Sequence, residues 1–358
     1  MDDHIPPPIV DRVAELIRRP DAAGFEALAL QAFAHQYERL PAYRRLCESA
    51  GVEPGSIADW RQIPAIPVLA YKTLDLSTAP AAEVFRSSGT TGDRRSVHRH
   101  PYPDLYRLVI DRTFPRYCLS SEEERPPMLA LVPPRRQIGD SSLGFMIDHV
   151  VAGFGGDGSR FAFDEGGVDV EAASGWCRER REDGRPGLIL ATSFALAQWL
   201  GALADRGGRQ RLPPGSRIFD TGGFKGRTRE LSRDRLLAEI EERLGVPGDR
   251  VIREYGMTEV TSQLYTDVLR GGDGEVFVGP PWLKARVLDP LTLREAAAGE
   301  PGLVAIFDLA NLGSAVHVLV EDVGVADGGG LRLLGRASGA ELRGCSLTVE
   351  ALQAAARG

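Results

Sequence analysis

The sequence predicts an α/β protein in which mostly parallel sheets are covered by helices, followed by a smaller β-rich lobe. Between residues 105 and 255, short apolar runs alternate with segments whose apolar residues recur at helical spacing, the pattern of strands joined by crossover helices. From residue 266 onward, strand-like runs punctuated by glycine replace this alternation. These two textures together predict the fold class.

Each element follows from local pattern. Residues 9–50 show helical periodicity, whereas 51–80 carry four spaced prolines and are expected to be extended. The core then predicts helices at 105–114, 143–154, 170–181, 194–204 and 228–244, and strands at 128–132, 188–191, 217–220 and 251–255. The lobe predicts strands at 275–278, 283–288, 303–308, 316–320 and 331–334, with a short helix at 347–356. The predicted division is a helical lead-in at 1–80, an α/β core at 81–265 and a β-rich lobe with a short tail at 266–358.

Composition excludes several classes of protein. The net charge of −7, without a basic face, argues against nucleic acid as a partner. Four widely separated cysteines argue against a disulfide framework or a zinc site. The acidic, Pro-rich start is not a signal peptide. The uncharged run at 187–204 is predicted to form a strand followed by a helix that Thr192-Ser193 can cap, not a membrane span. The expected location is therefore the cytoplasm.

A loop rich in Ser, Thr and Gly follows the strand-like run at 83–85. Residues 87–92 read Ser-Ser-Gly-Thr-Thr-Gly. Glycines allow close approach of the backbone to a ligand, and hydroxyl and N–H groups bind phosphate oxygens. The loop is not a Walker motif, because no Gly-Lys-Ser/Thr ending is present. A flexible polar turn is the alternative interpretation.

Two strand ends carry further candidate groups, at the edge of a parallel sheet where ligands bind. Residues 220–226 contain paired glycines suited to close approach to a ring or a phosphate; an ordinary strand-to-helix turn is the alternative. The Tyr-Gly-Met-Thr-Glu run at 255–259 offers a ring that can stack on a base, a hydroxyl and a carboxylate that suits Mg²⁺. Its alternative is a helix start in which Thr258 and Glu259 are caps.

The order of these motifs resembles that of adenylate-forming enzymes, and most closely the acyl-protein synthetase family, which includes the fatty-acid-activating component of bacterial bioluminescence. The matching segments are 87–92, 221–223, 255–259, 307–312, 321–324, 335–336 and 343–346. The resemblance is dense from about residue 81 to 348. Placement in the acyl-protein branch depends on the lead-in, on 308–312 and on Cys345.

The resemblance implies an ATP- and Mg²⁺-dependent ligase that activates a carboxylic acid as an acyl-adenylate. Implied ATP- and AMP-binding residues are Ser87, Ser88, Gly89, Thr90, Thr91, Gly92, Thr221, Gly222, Gly223, Tyr255, Gly256 and Asp322. Implied catalytic residues are Cys345, Thr258, Glu259 (also the Mg²⁺ ligand) and Arg336; the implied acyl pocket includes His149 and Gly153. For His149, a core histidine is an equally good interpretation.

The sequence departs from the wider superfamily at two points. Arg94 and Arg95 stand where the phosphate loop usually continues into a Lys, and Arg retains the charge. The usual C-terminal domain with its catalytic Lys is expected to be absent, as in the acyl-protein synthetases. Arg336, Arg343, Lys225 and Arg94 are the candidate replacement cations.

Cys345 is the implied acceptor that takes the acyl group as a thioester and passes it to a partner protein, such as a reductase. Arg343 and a following helix N-terminus would lower the pKa of its thiol. A buried filler role is the alternative for Cys345 and the expected role of Cys47, Cys118 and Cys177.

Two competing functions remain open on the sequence alone. One is a ligase that transfers the acyl group directly to coenzyme A or a carrier-protein thiol. The other is a non-catalytic nucleotide-binding scaffold, although hydroxyls, Glu259 and Asp322 occur together. The sequence does not specify the acid, the final acceptor or the oligomeric state.

Overall fold

The computed structural model describes residues 8–20, 22–88, 94–222 and 232–337, and these residues group into two compact units. Unit 1 contains residues 8–112, 257–263 and 278–337 of the described chain, and unit 2 contains 113–256 and 264–277. The three-part division at residues 80 and 265 remains a prediction about folding units.

The helices occur close to their predicted positions. They are α1 Pro8–Arg18, α2 Ala22–Arg39, α3 Pro41–Ser49, α4 Pro103–Cys118, α5 Ser142–Phe154, α6 Val170–Asp183, α7 Ser193–Asp205 and α8 Arg233–Leu244. Short 3₁₀ turns lie at Trp60–Gln62, Val68–Lys72, Gly248–Arg250, Val268–Arg270 and Leu309–Asn311. The predicted helix at 347–356 and residues 228–231 of another predicted helix lie outside the described residues.

The strands include those predicted and others that were not predicted, at 66–67, 97–100, 160–161, 163–164, 167–168 and 264–266. They are β1 Ile66–Pro67, β2 Glu83–Arg86, β3 Val97–His100, β4 Met128–Leu131, β5 Arg160–Phe161, β6 Phe163–Asp164, β7 Gly167–Val168, β8 Leu188–Thr192, β9 Arg217–Thr221, β10 Val251–Tyr255, β11 Leu264–Thr266, β12 Val276–Val278, β13 Leu283–Leu288, β14 Gly302–Asp308, β15 His317–Asp327 and β16 Gly330–Arg336.

Unit 2 is built on a parallel sheet. Its strands lie in the order β11-β10-β9-β8-β4-β5, and all of these neighbours pair in parallel except β11, which is antiparallel to β10. The residues of β4 and β9 are buried throughout; β4 is a continuous apolar run, whereas β9 also buries Arg217, Asp220 and Thr221. Trp176 of α6 and Trp199 of α7 pack with strand residues such as Ile189 in one hydrophobic cluster.

Side-chain oxygens cap the N-termini of helices in unit 2. The Thr192 hydroxyl accepts a hydrogen bond from the Ala195 N–H at 3.1 Å, so the uncharged run at 187–204 forms strand β8 followed by α7. Asp169 caps α6 and Ser232 caps α8 in the same way. Among the described residues, no helix is both long and apolar enough to cross a bilayer.

Unit 1 contains an antiparallel sheet in the order β13-β14-β15-β16, with β1 parallel to β15, and a separate hairpin of β2 and β3. The N-terminal helices pack on this sheet: Phe25 of α2 contacts Trp60 and Phe307, with ring centroids 5.4 and 5.8 Å apart. The predicted fold class, parallel strands with helices and a β-rich lobe, is confirmed.

One helix extends further than predicted. Helix α4 continues through Pro115 to Cys118, whereas the prediction ended at Phe114. A proline costs the helix one N–H hydrogen bond and crowds the preceding turn. Burial of Phe114, Tyr117 and Cys118 offsets that cost, because all three side chains are less than 10% exposed.

Two glycines near the end of α5 give opposite stability predictions. A Cβ on Gly156 would lie 2.1 Å from the Arg125 carbonyl oxygen, whereas a Cβ on Gly153, within α5, would meet no atom within 4 Å. We expect Gly156→Ala to destabilise the protein by about 1–3 kcal/mol through overpacking. We expect Gly153→Ala to stabilise it by about 0.5–1 kcal/mol through helix propensity. Calorimetric Tm values of the two variants test this pair, and a Gly156→Ala variant as stable as wild type would contradict the close approach of the Arg125 backbone to Gly156.

Candidate active site

The base of the Ser/Thr/Gly loop is closed by hydrogen bonds between the two strands of a hairpin. The Ser87 N–H donates to the Ser96 carbonyl at 3.1 Å, and the Ser96 N–H donates to the Ser87 hydroxyl oxygen at 3.0 Å. Arg95 donates to the carbonyl oxygens of Arg86 and Ser87. Ser88 is exposed at the point where the described chain stops. Of the predicted phosphate loop, Gly89, Thr90, Thr91 and Gly92 lie outside the described residues.

The end of β9 in unit 2 carries a buried polar cluster. The hydroxyl of Thr221 donates to the carboxylate of Glu254, its parallel neighbour on β10. The Ser193 hydroxyl, at the start of α7, lies 2.7 Å from Asp220 Oδ1 and 2.6 Å from the Gly222 carbonyl oxygen. Gly222 has a φ of +71°, a conformation that favours glycine. Gly223 lies outside the described residues.

Asp220 has two polar neighbours. The Ser193 hydroxyl donates to Asp220 Oδ1, and Arg233 Nη1 lies 3.9 Å from Asp220 Oδ2. Burial raises the pKa of Asp220 to about 6, although Ser193 and the charges of Arg233 and Arg253 act in the opposite direction. Because burial is the largest of these effects, Asp220 is neutral below about pH 6.

This protonation predicts a pH-dependent stability. Because the pKa of Asp220 is about 6 in the folded chain and 3.8 ordinarily, its stabilising effect is complete below about pH 3.8 and is lost as the pH rises through 6. Asp220→Asn retains a neutral hydrogen-bonding side chain that does not titrate. Between about pH 4 and 7, the unfolding free energy of wild type should fall by roughly 2–3 kcal/mol relative to the variant. Denaturant melts across that range measure the difference; parallel curves would contradict a protonated Asp220.

Tyr255 ends strand β10 and is half-buried. Its ring centroid lies 5.9 Å from that of Phe277. The Arg253 guanidinium lies over the Phe277 ring, 4.9 Å from its centroid. Glu275 accepts from both Arg253 and Arg233. Packing of this kind holds the Tyr255 ring in a defined orientation, as stacking on a base requires.

The segment that follows Tyr255 does not begin a helix. Residues 256–263 form a turn that leads into β11, so the alternative in which Thr258 and Glu259 cap a helix is wrong. Glu259 is 6% exposed.

Polar side chains of unit 1 that are distant in sequence hold this turn through hydrogen bonds to its backbone. Asp308, fully buried at the end of β14, accepts from the N–H groups of Thr261 and Ser262 at 3.0 and 2.6 Å and from the Ser262 hydroxyl at 2.7 Å. Burial raises the pKa of Asp308 to about 6, and the hydrogen bonds to its carboxylate oppose that rise. The Asn311 amide donates to the Glu259 carbonyl at 3.0 Å.

Two histidines of β3 complete these contacts. His98 Nδ1 lies 2.7 Å from the Thr258 carbonyl oxygen, and His100 Nε2 lies 2.9 Å from the Thr261 hydroxyl. Burial lowers the pKa of His98 to about 4 and that of His100 well below its ordinary value. Neither histidine was predicted to have a role. Their spacing of two on a short strand, which places both on one face, was the available signal.

The remaining predicted residues fall into two places. In unit 1, Asp322 and Arg336 lie opposite each other on β15 and β16, with Arg336 Nε 3.8 Å from Asp322 Oδ1 and the arginine side chain 68% exposed. In unit 2, His149 is half-buried on α5 and Gly153 lies one turn further along, exposed.

The cysteines differ in what the structure describes. Cys47, Cys118 and Cys177 are fully buried, and burial raises the pKa of Cys47 and Cys177 to about 12 and that of Cys118 further. These thiols are poor nucleophiles, which agrees with their expected filler role. Cys345, Arg343 and Lys225 lie outside the described residues.

Comparison with solved structures identifies the fold. An open 2-hydroxyisobutyryl-CoA ligase in complex with 2-HIB-AMP and CoA matches with a TM-score of 0.64 and 15% identity, over 93% of this chain and 80% of that one. ATP-bound MatB from Rhodopseudomonas palustris matches with a TM-score of 0.50 and 17% identity, over 81% of this chain and 52% of that one. The fold is therefore that of adenylate-forming ligases.

The family is more specific. The family described as "Acyl-protein synthetase, LuxE" matches residues 20–353, and the chain belongs to it. The long-chain-fatty-acid–luciferin-component ligase of Vibrio harveyi is 22% identical over 330 residues, covering 89% of this chain and 85% of the relative. The corresponding ligase of Aliivibrio fischeri is 22% identical over 311 residues, covering 84% and 78%.

These matches confirm the predicted family and the predicted class of enzyme, a ligase of the adenylate-forming, acyl-protein synthetase type. They confirm at that level the predicted activity, ATP-dependent activation of a carboxylic acid and transfer of its acyl group. The roles of individual site residues remain predictions.

Proposed function

We propose that this protein activates a carboxylic acid with ATP and Mg²⁺, takes the acyl group onto Cys345, and delivers it to a partner protein. The observation that carries the proposal is the extent of the family match, residues 20–353, which includes every predicted site residue and Cys345. The buried hydrogen bonds behind Thr258 and Glu259 support it, because they give this turn one defined conformation.

The chemistry has three balanced steps. A carboxylate oxygen attacks the α-phosphorus of ATP, which forms the acyl-adenylate and releases pyrophosphate. The Cys345 thiolate then attacks the acyl carbon, a thioester forms and AMP leaves. The partner's nucleophile, or a reductant, removes the acyl group and restores the thiol. Charge builds up on the phosphates in the first step, so fixed donors and cations accelerate it.

The proposed site residues divide the nucleotide between them. Ser87 and Ser88, with the loop that follows, bind the β- and γ-phosphates, and Thr258 contacts the α-phosphate. Thr221, Gly222 and Tyr255 bind the adenine, and Asp322 binds the ribose hydroxyls. Arg336, which is 68% exposed, can change its position during the reaction.

The described residues fit a Mg²⁺ ion that arrives with the nucleotide. Within the described parts of the chain, no group of three His, Cys, Asp or Glu residues could hold a metal. Mg²⁺ is commonly held by one or two carboxylates together with substrate phosphates. Glu259 supplies one carboxylate, and Mg²⁺ would neutralise charge on the phosphates.

A long-chain fatty acid is the first substrate class to test, because the relatives from Vibrio harveyi and Aliivibrio fischeri are named for it. His149 and Gly153, one turn apart on α5, are the proposed contacts of the acyl group. The proposed acceptor is a reductase or a carrier protein.

Intact-protein mass spectrometry tests the proposal. The purified chain is incubated with ATP, Mg²⁺ and fatty, aryl or short polar acids, and AMP is measured in parallel. We expect one acyl mass that hydroxylamine removes, together with stoichiometric AMP. AMP formation that requires added coenzyme A, without an adduct, would instead favour direct transfer to an external thiol. No AMP with any acid would favour the scaffold interpretation.

A further inference from the structure

Hairpin β2–β3 of unit 1 joins two parts of the proposed nucleotide site. Its strands pair from Glu83–His100 to Arg86–Val97, and hydrogen bonds between Ser87 and Ser96 continue the hairpin beyond these pairs. The same hairpin places His98 against the Thr258 carbonyl and His100 against the Thr261 hydroxyl. The predicted phosphate loop and the predicted α-phosphate residue are therefore linked through one short strand.

The hydrogen-bond directions in this link are determined. The Thr258 carbonyl only accepts, so His98 must carry its proton on Nδ1. The Thr261 hydroxyl donates to Asn311 Oδ1 at 2.8 Å, so it accepts from His100, which carries its proton on Nε2. The Asn311 amide then donates to the carbonyl oxygens of Glu259 and Ala315. Both histidines are thus single donors.

The surroundings keep both rings neutral and fixed. His98 and His100 are 1% and 2% exposed and lie 5.1 Å apart between ring centroids. Tyr71 contacts His98 edge-on at 5.6 Å, and Tyr106 stacks on His100 at 6.1 Å. Among the described residues, the second nitrogen of each ring has no hydrogen-bond partner, which agrees with that nitrogen carrying no proton.

We propose that His98 is a positioning residue for acid activation: its Nδ1–H fixes the Thr258 carbonyl and so orients the Thr258 hydroxyl and the Glu259 carboxylate toward the nucleotide. This role rests on the proposed function. His98 does not touch the substrate. It acts through the peptide that joins Thr258 to Glu259, while Asn311 fixes the next carbonyl along the chain.

The expected effect is on rate more than on nucleotide affinity. Stabilisation of the transition-state charge on the α-phosphate depends on where the hydrogen-bond donors and the metal ion lie. A displacement of about 1 Å can lower the rate about 100-fold. Ground-state binding of ATP is distributed over the adenine, ribose and phosphate contacts, so loss of one orientation affects it less.

The chain provides a matched control. His317 is also buried, 2% exposed, and its Nδ1 lies 2.8 Å from a backbone carbonyl, that of Ile63. It packs on Phe307, with centroids 5.2 Å apart. His98→Phe and His317→Phe therefore each remove one buried donor to a carbonyl within unit 1, and only the first faces the Thr258–Glu259 turn.

The experiment measures acid-dependent ATP–pyrophosphate exchange, which reports acyl-adenylate formation alone, together with Tm. We expect His98→Phe to lower kcat for exchange by about 30–100-fold with KM for ATP changed less than about threefold. His317→Phe should lower Tm by a similar amount and retain exchange within about threefold. His98→Asn, whose amide can donate from near the Nδ1 position, should recover at least a tenth of wild-type kcat.

Three results would overturn the proposal. The first is exchange by His98→Phe within threefold of wild type. The second is a loss of exchange in His317→Phe equal to that in His98→Phe. The third is a His98→Asn variant that is as stable as wild type but as inactive as His98→Phe. A double-mutant cycle with Thr258→Ala gives a further test: the two effects on kcat should be far from multiplicative, because His98 acts through that residue. If wild type showed no exchange with any acid, the proposed function itself would fail, and this role with it.

Discussion

Cys345→Ala should abolish the acyl adduct completely while acid-dependent ATP–pyrophosphate exchange stays within about threefold of wild type. The thioester needs the thiol, whereas the acyl-adenylate forms before the thiol reacts. Intact mass spectrometry with the preferred acid shows the first effect, and radiolabelled pyrophosphate shows the second. Cys345→Ser should form, at most, a slow oxygen ester that hydroxylamine at neutral pH does not readily remove.

The control for this variant is Cys177→Ala. Cys177 is fully buried in unit 2, and its thiol has a pKa raised to about 12. Its loss should lower Tm by creating a small cavity and leave the adduct intact. A persistent adduct in Cys345→Ala that disappears in another cysteine variant would assign the acceptor to that cysteine. Transfer to coenzyme A by both wild type and Cys345→Ala, at equal rates, would remove the need for a protein thioester.

Glu259→Gln should lower kcat for exchange by about 100- to 1000-fold and raise the Mg²⁺ concentration needed for half-maximal rate. The amide is nearly isosteric with the carboxylate but carries no charge to hold the ion. Because Glu259 is 6% exposed, Tm must be measured alongside the rate. A loss of exchange accounted for by unfolding would show a structural role.

Glu239→Gln provides the comparison for Glu259. Glu239, on α8, is 9% exposed and accepts from Arg235 and Arg243. Its substitution removes a similarly buried charge from unit 2 and should cost stability with little change in exchange or in Mg²⁺ dependence. Equal Mg²⁺ requirements for wild type and Glu259→Gln would exclude Glu259 as the metal ligand.

Where a structure depends on neighbours in sequence, the sequence was sufficient to predict it. Strand β10 begins and ends at the predicted residues, 251 and 255, because an apolar run between turn signals is a local property. The cap of α7 by the Thr192-Ser193 pair was predicted for the same reason, because hydroxyl residues directly before a helical pattern are a local signal of a helix start. The Thr192 hydroxyl forms this cap.

Features that depend on distant partners could not be predicted. His98 and His100 acquire their roles from Thr258 and Thr261, about 160 residues away, and their spacing of two indicates only that both rings lie on one face of the strand. The turn after Tyr255 has a helix-like sequence, but Asp308 and Asn311 bind its backbone groups and hold another conformation. The order of motifs indicated the family, yet the residues behind those motifs became visible only in the structure.

The pairing of β1 with β15 has a consequence for synthesis of the chain on the ribosome. Ile66 pairs with Val318, and the intervening residues include all of unit 2. At a synthesis rate of ~5–20 residues per second, β15 is made roughly 13–50 s after β1. The sheet on which the N-terminal helices pack is incomplete for that time. Unit 2 has all its strands earlier and can fold first. A destabilising change in α1–α3 should therefore markedly reduce the yield of soluble protein, while the molecules that do fold keep a Tm close to that of wild type.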